Sequence, residues 1–448
     1  MSQTRDYTRA LDASRWRASG NHLRICSASY DHADSSTDYN SSMRHSASVV
    51  ALCLVVSAAF AQNSPKPATE PKSVTVPITL DHNRVVIDVY LPLPDGSTKR
   101  VRGWVDNGNP DLEMSRRAAT LMGLNVTCNE AECSAPPPAA INIGEMKIGL
   151  SAIKKATIPL KPPSAATVMK PGMSAEINIP SSVLRNYDVL IDFPNREFTI
   201  GAAGSLKFKG VSAKVVVNAE NGRVEVPAQI ENKKYNLELG VGSPISFLNN
   251  GLFATLASAY PDWPHMTGAV GPANVWGAHD EPDWKLMRID RLQFGPLHFT
   301  SVPFVELSAE TMATEKQSAV ASNGLLGSEA LLNYRVGIDY THSTVYFDLG
   351  STFKFPDFDV IGLVLRPEDD TRFTVIGVAE FEGKPSVADV QPGDHLVAVD
   401  EIPVPDSTMG QVWSLLEGSP GQERKLTLER EGKQFTVSAK VQHFLAEK

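Results

Sequence analysis

Past residue 74 the chain runs in short stretches of alternating apolar and polar positions, broken by turn residues. Alternation of that length predicts strands with one buried face. Strands are predicted over Asn186–Phe193, Glu197–Ile200, Asn333–Tyr340 and Thr344–Phe347. The period changes at Ser115–Met122 and Asn250–Ala257, which predict short helices. Toward the C-terminus the pattern predicts strands at Gly362–Arg366, Phe373–Glu380, His395–Val399, Arg424–Arg430 and Gln434–Val441. A helix is predicted over Ser407–Leu416, and Pro392-Gly393-Asp394 forms a tight turn.

Sliding the chain on itself exposes an internal repeat. Asn186-Tyr187-Asp188-Val189-Leu190-Ile191-Asp192-Phe193 matches Asn333-Tyr334-Arg335-Val336-Gly337-Ile338-Asp339-Tyr340. Upstream, Gly103-Trp104-Val105-Asp106-Asn107-Gly108-Asn109-Pro110 matches Leu237-Glu238-Leu239-Gly240-Val241-Gly242-Ser243-Pro244. Each upstream segment follows alternating strands and precedes one of the predicted helices. The repeat divides the body into two β-rich lobes, 75–203 and 212–350, followed by a separate segment, 355–445. A chain of 448 residues has room for about that many domains. Two copies are too few for a solenoid.

The most apolar stretch lies near the start. A short basic head at Met43-Arg44-His45-Ser46 leads into the apolar run Ala47–Val56, and Ser57-Ala58-Ala59-Phe60-Ala61 ends in a small-residue cleavage pattern. The run is shorter than the about 20 residues a membrane span needs. It reads as a secretory signal peptide, 43–61. Bulky Leu52 before Cys53 speaks against a lipid anchor. Residues 1–42 are polar and aperiodic, and read as a misplaced gene start, with a disordered leader as the alternative. Residues 62–74 form a Pro-rich linker. The expectation is an exported bacterial protein, periplasmic or secreted, with no integral membrane segment after cleavage.

Composition narrows the function classes. Hydrophobic residues make up 42% and charged residues 21%, a globular balance. The formal charge of −9, without basic runs, excludes a general nucleic-acid binder, which needs clustered Lys and Arg. Cys128 and Cys133 survive signal removal, and in an oxidising compartment they are expected to form a loop-closing disulfide. A metal site there is the lesser reading, because no His or second Cys pair lies close by. No Gly-rich phosphate loop and no G-x-S-x-G elbow occurs, and no cofactor is expected.

The strand-and-glycine-turn layout over about 75–350 resembles the aspartic peptidase family, in particular bacterial proteins with two retropepsin-like lobes in one chain. The resemblance implies a mostly β fold with an active site between the lobes. There, two carboxylates share a proton and activate water. It also implies an apolar-apolar-Gly segment before a short helix in each lobe, and a Thr after each Asp that bonds across the interface. Lobe 1 keeps Asp106, the candidate catalytic residue, but has Asn178-Ile179-Pro180 for the apolar-apolar-Gly. Lobe 2 keeps Leu325-Leu326-Gly327 but places Gly240 where the second Asp belongs. Glu238 lies two residues back on the strand and is no replacement. The Thr positions hold Asn107 and Val241, and valine has no side-chain donor. Asp106 before Asn-Gly is also an ordinary turn residue. Pairing of Asp106 across two chains is a further route to a dyad, opposed by lobe 2 filling that surface.

The lobe 2 flap falls about Pro264–Trp284. Its Trp263, Trp276, Trp284, His265 and His279 line a peptide cleft or anchor the hairpin to the core. Its Asp280-Glu281-Pro282-Asp283 is a calcium lure or a solvated acidic tip. Residues 355–445 resemble a bacterial PDZ domain, through Ile361-Gly362-Leu363-Val364, Phe373–Val378, Lys384–Ala388 and Gln391–Asp400. Ala388-Asp389-Val390 departs from the usual Ala-Gly ending. The resemblance implies that Ile361, Gly362 and Leu363 edge a groove for polypeptide C-termini, bound by strand addition. A module that only braces the lobes is the alternative. The whole reads as a degenerate peptidase that binds extended polypeptide. An active endopeptidase using Asp106 with an unidentified partner is the second reading.

Overall fold

The computed structural model describes residues 71–129, 133–158, 175–275, 281–308, 323–350, 358–368 and 371–446. The leader, the signal segment and residues 62–70 lie outside the described residues, as do Trp276, His279 and Asp280. The described chain is mostly β, as the alternation predicts. No described helix is long and apolar enough to cross a membrane.

The first strand begins at Ser73, just inside the predicted linker. Each lobe contains the same parallel pairing. In lobe 1, strand Ala175–Pro180 lies parallel to strand Thr98–Asp106, with Ile179 opposite Val105 and Pro180 opposite Asp106. In lobe 2, strand Gly324–Gly327 lies parallel to strand Lys233–Gly240, with Leu326 opposite Leu239 and Gly327 opposite Gly240. The register therefore aligns Asp106 with Gly240 and Pro180 with Gly327, matching the sequence repeat position for position.

The lobes also share one sheet. Strands Tyr187–Asp192 and Tyr334–Asp339 pair antiparallel, with Asp188 opposite Asp339 and Leu190 opposite Gly337. On either side lie Glu197–Ala202 and Thr344–Leu349, then Ser73–Pro77 and Val211–Lys214, giving six strands related by an approximate two-fold axis. Apolar residues from both lobes fill a single core beneath it, among them Ile191, Phe198, Val336, Ile338 and Phe347. The predicted helices form at Arg116–Leu121, capped by Ser115, and at Asn250–Ala259, capped by Asn249. Both caps accept a backbone N–H of the first turn, which a helix N-terminus otherwise leaves unpaired.

The C-terminal sheet runs Leu363–Pro367, Phe373–Val378, His395–Val399, Glu423–Arg430 and Lys433–Lys440 in order. Helix Met409–Leu416 begins on a capping box, Thr408 with Gln411. The predicted turn puts Gly393 at φ +97°, where glycine is favoured. Asp394 beside it is fully buried and takes both arms of Arg430, Nε at 2.7 Å and Nη2 at 2.8 Å. This sheet does not have a core to itself. Its Phe358, Leu363 and Trp413 belong to one apolar cluster with Met266, Val270, Trp284 and Leu286 of lobe 2.

Because both lobes share the core around the six-stranded sheet, a cavity there weakens both. Phe347 is 1% exposed and packs edge-on against Phe294 of the lobe 2 barrel. Phe347→Ala is expected to cost about 3–5 kcal/mol. Urea unfolding followed by near-UV and far-UV circular dichroism is expected to show both signals shifting together.

Candidate functional site

Strands Thr98–Asp106 and Lys233–Gly240 end in turns that meet between the lobes. Asn107, 1% exposed, makes the joint. Its Nδ2 donates to the Leu239 carbonyl at 2.6 Å, and its Oδ1 accepts the Val241 N–H at 2.8 Å. The sequence expectation counted Asn107 and Val241 as a lost cross-lobe contact, and the structure corrects it. One amide carries a donor and an acceptor, so Asn107 supplies both halves, and Val241 takes part through its backbone.

The turns carry a second pair of symmetric contacts. Ser181 N–H donates to Asn109 O at 2.9 Å in lobe 1, and Ser328 N–H donates to Ser243 O at 2.8 Å in lobe 2. Each serine hydroxyl then reaches the other lobe, Ser181 to Asn221 O and Ser328 to Asn83 O, both at 2.6 Å.

Asp106 lies at this junction and is 5% exposed. Its Oδ1 accepts the backbone N–H of Gly108 at 3.1 Å and of Asn109 at 3.3 Å, closing its own turn. Across the interface stands the backbone of Gly242. A β-carbon there would lie 2.2 Å from Asp106 Oδ1 and 2.9 Å from Asp106 Cα. The matching lobe 2 position, Gly240, lies close to the Leu325 side chain. A β-carbon on Gly240 would lie 2.9 Å from Leu325 Cδ1.

Glu238 is buried and ion-pairs with Arg223, Nη1 to Oε1 at 3.7 Å. Burial pushes its carboxyl up to about 8, with Glu225 adding to the rise and Arg223 opposing it. Its ion pair is with Arg223 rather than across the lobes. The matching position in lobe 1 is Trp104, and there the Arg84 guanidinium lies 5.0 Å from the ring centroid.

Arg84 is a buried cation that feels the charge of Asp106. Burial draws it down to about 10, while Asp81, Asp106 and Glu281 hold it up. Beside it His82 is buried, and burial and Arg84 together lower it to about 3, against the opposing hydrogen bond to Asn274. The ring is therefore neutral, and its Nε2–H donates to the Asn274 carbonyl at 2.8 Å. Glu281, read from the sequence as a calcium lure or a solvated tip, is fully buried and accepts Asn274 Nδ2 at 2.8 Å. No cluster of three metal-ligating side chains occurs among the described residues.

Of the flap aromatics, Trp284 is 3% exposed and packs edge-on to Phe247, an anchoring role. Trp263 stacks on Tyr260, and His265 is exposed. A disulfide joins Cys128 and Cys133 at the tip of the lobe 1 hairpin. Ile361 and Leu363 are fully buried, and Gly362 is buried between them. Ile361 N–H donates to Leu416 O at 3.0 Å and Leu363 N–H to Ile361 O at 2.8 Å. These two donors are engaged within the chain.

His82, Arg84 and Asn274 are the residues that sequence reasoning missed. The His82–Asn274 contact spans 192 positions, and neither segment carries a motif. The one available signal was weak, a His flanked by Asp81 and Asn83 in a turn between apolar strands.

No family model matches this chain, and a search of curated proteins finds no match. Among solved structures it is similar to conglutin gamma, a basic 7S globulin from lupine seeds. That likeness has 8% identity, 62% of this chain and 95% of that chain covered, and a TM-score of 0.36. It is similar also to basic 7S globulin from soybean, at 11% identity, with 63% and 95% covered and a TM-score of 0.36.

Two tests follow from the junction. Asn107→Ala strands two buried backbone groups and is expected to cost about 2–4 kcal/mol in urea unfolding. Asn107→Thr is expected to recover part of that, since one hydroxyl both donates and accepts.

The second concerns Glu329, fully buried behind the Gly324–Gly327 strand. Burial pushes it up to about 8, against its bonds from Ser246 Oγ at 2.9 Å and Ser246 N–H at 3.1 Å. Unfolded, it titrates near its ordinary value of about 4.3. Between those values the folded state holds the extra proton, so stability falls as pH rises from about 4.3 to about 8 and then levels. Glu329→Gln keeps the acceptor for Ser246. It is expected to flatten that slope and to exceed wild type in urea midpoint above pH 8.

Proposed function

We propose that this chain is an exported aspartic-peptidase-like protein that binds extended polypeptide and does not cleave it. One observation carries the reading: Asp106 faces the backbone of Gly242, and the matching lobe 2 position is Gly240, which has no side chain and lies against Leu325. Peptide hydrolysis on this plan needs one carboxylate to take a proton from water and another to give one to the scissile carbonyl. One carboxylate cannot serve both roles at once.

A dimer does not restore the dyad. Lobe 2 lies on Asp106 within the same chain, so a second Asp106 reaches it only if the lobes part and the Asn107 bonds break. The Cys128–Cys133 disulfide supports export, since such bonds persist in oxidising compartments. The C-terminal segment, by its resemblance to PDZ domains, supports polypeptide as the ligand class.

The test is peptide cleavage by residues 62–448, read by mass spectrometry on a diverse peptide mixture from acid to neutral pH. No cleavage is expected from wild type or from Asp106→Asn. Cleavage by wild type that vanishes in Asp106→Asn would overturn the reading and make Asp106 catalytic.

A further inference from the structure

Strand Leu363–Pro367 is an end strand of the C-terminal sheet, so among the described residues one of its edges has no strand partner. Such an edge offers backbone donors and acceptors that another extended chain can use. Here the Leu365 N–H is already taken. Asn274 Oδ1, from the lobe 2 flap 91 residues earlier, accepts it at 2.8 Å.

The opposite wall is engaged too. Helix Met409–Leu416 receives the lobe 1 turn: Gly410 N–H donates to Asp81 Oδ1 at 3.0 Å, and the His82 ring stacks on Trp413 with centroids 6.4 Å apart. His82 in turn holds the Asn274 carbonyl. One fully buried asparagine thus joins lobe 1, lobe 2 and the C-terminal strand.

Around it the flap backbone is packed tightly. A β-carbon on Gly268 would lie 2.8 Å from Ala379 Cβ, and one on Gly271 would lie 3.7 Å from both Phe358 and Val360. Val270 and Ala273 are fully buried in the same cluster as Leu363 and Val412. A side chain larger than hydrogen at 268 would force Ala379 to shift, so this glycine lets the flap backbone lie close against the C-terminal segment.

We propose that the peptide groove of the C-terminal segment is occupied in cis by the lobe 2 flap, residues 268–275, latched through Asn274. An external polypeptide then enters only by displacing that flap. The proposal rests on the reading of the C-terminal segment as a peptide-binding domain. A tethered ligand is present at a high effective concentration, so it holds the groove against micromolar competitors without being intrinsically tight.

The experiment uses residues 62–448 as wild type, Asn274→Ala and His82→Ala. Near-UV circular dichroism checks that each is folded. Two fluorescein-labelled probes are titrated by anisotropy, a synthetic peptide with the sequence of residues 264–284 and a random-sequence pool ending in free valine. Hydrogen exchange is followed at the Leu365 amide.

Wild type is expected to protect Leu365 and to bind neither probe at micromolar concentration. Asn274→Ala is expected to lose about tenfold in Leu365 protection, the worth of one buried hydrogen bond, and to gain binding of at least one probe. His82→Ala cuts the latch from lobe 1 and leaves the Asn274 side chain in place. It is expected to shift both readouts the same way by less, and gives the answer if Asn274→Ala does not fold. Unchanged Leu365 protection in the variants, or probe binding by wild type equal to theirs, would overturn the cis occupancy. Lost protection with no probe bound would overturn it differently: the flap is released, but the segment holds no peptide, and the peptide-binding reading falls with it.

Discussion

Everything between the lobes depends on the side chain of Asn107. Two strands, one from each lobe, end in turns that meet back to back, and turns of that kind leave backbone groups without ladder partners. Buried, each such group would cost free energy of the order of a lost hydrogen bond. Asn107 removes the cost at two groups at once, Leu239 O and Val241 N–H, and so ties the end of one strand to the end of the other. With the turns fixed there, the backbone of Gly242 lies against Asp106, and Ser181 and Ser328 reach across on either side. The shared six-stranded sheet fixes the lobes at the opposite face. The two constraints together leave little freedom for the lobes to open.

That arrangement separates architecture from chemistry. A two-lobed hydrolytic site asks each lobe for one carboxylate at the end of its inner strand. In this chain the two strand ends and their glycine turns are joined by cross-lobe bonds, and one carboxylate, Asp106, stands at the lobe 1 end. At the matching strand end stands Gly240, where an added β-carbon would meet the end of the Leu325 side chain at 2.9 Å. Asp106 has a role without catalysis: it accepts the N–H groups of Gly108 and Asn109 and contributes negative charge near the buried Arg84.

Much of this was legible in the sequence because the signals were local or repeated. The repeat is a comparison of the chain with itself, and the parallel pairings reproduce it down to Asp106 opposite Pro180 and Gly240 opposite Gly327. The helix at Asn250 and the strand His395–Val399 follow from the local pattern and its place in the chain. The Asn107 contact is hidden in the sequence because the position suggests a hydroxyl, and only the fold shows one amide both donating and accepting across the lobes. Glu281 was misjudged because an acidic run in a polar stretch normally faces water, and only the fold shows it turned inward onto Asn274. His82 and Asn274 could not be paired from sequence at all, since nothing in either turn encodes a partner 192 positions away.

The C-terminal sheet completes the argument from the other side. In a cleft that admits and releases a chain, the flap must move, and a moving element has few buried contacts. Here the flap residues Val270, Ala273 and Trp284 belong to the same apolar cluster as the C-terminal strands and helix. Arg288, on the strand after the flap, donates through Nε to Leu445 O at 2.9 Å, close to the end of the described chain. Opening the flap therefore means separating the C-terminal sheet from lobe 2, exposing apolar surface on both.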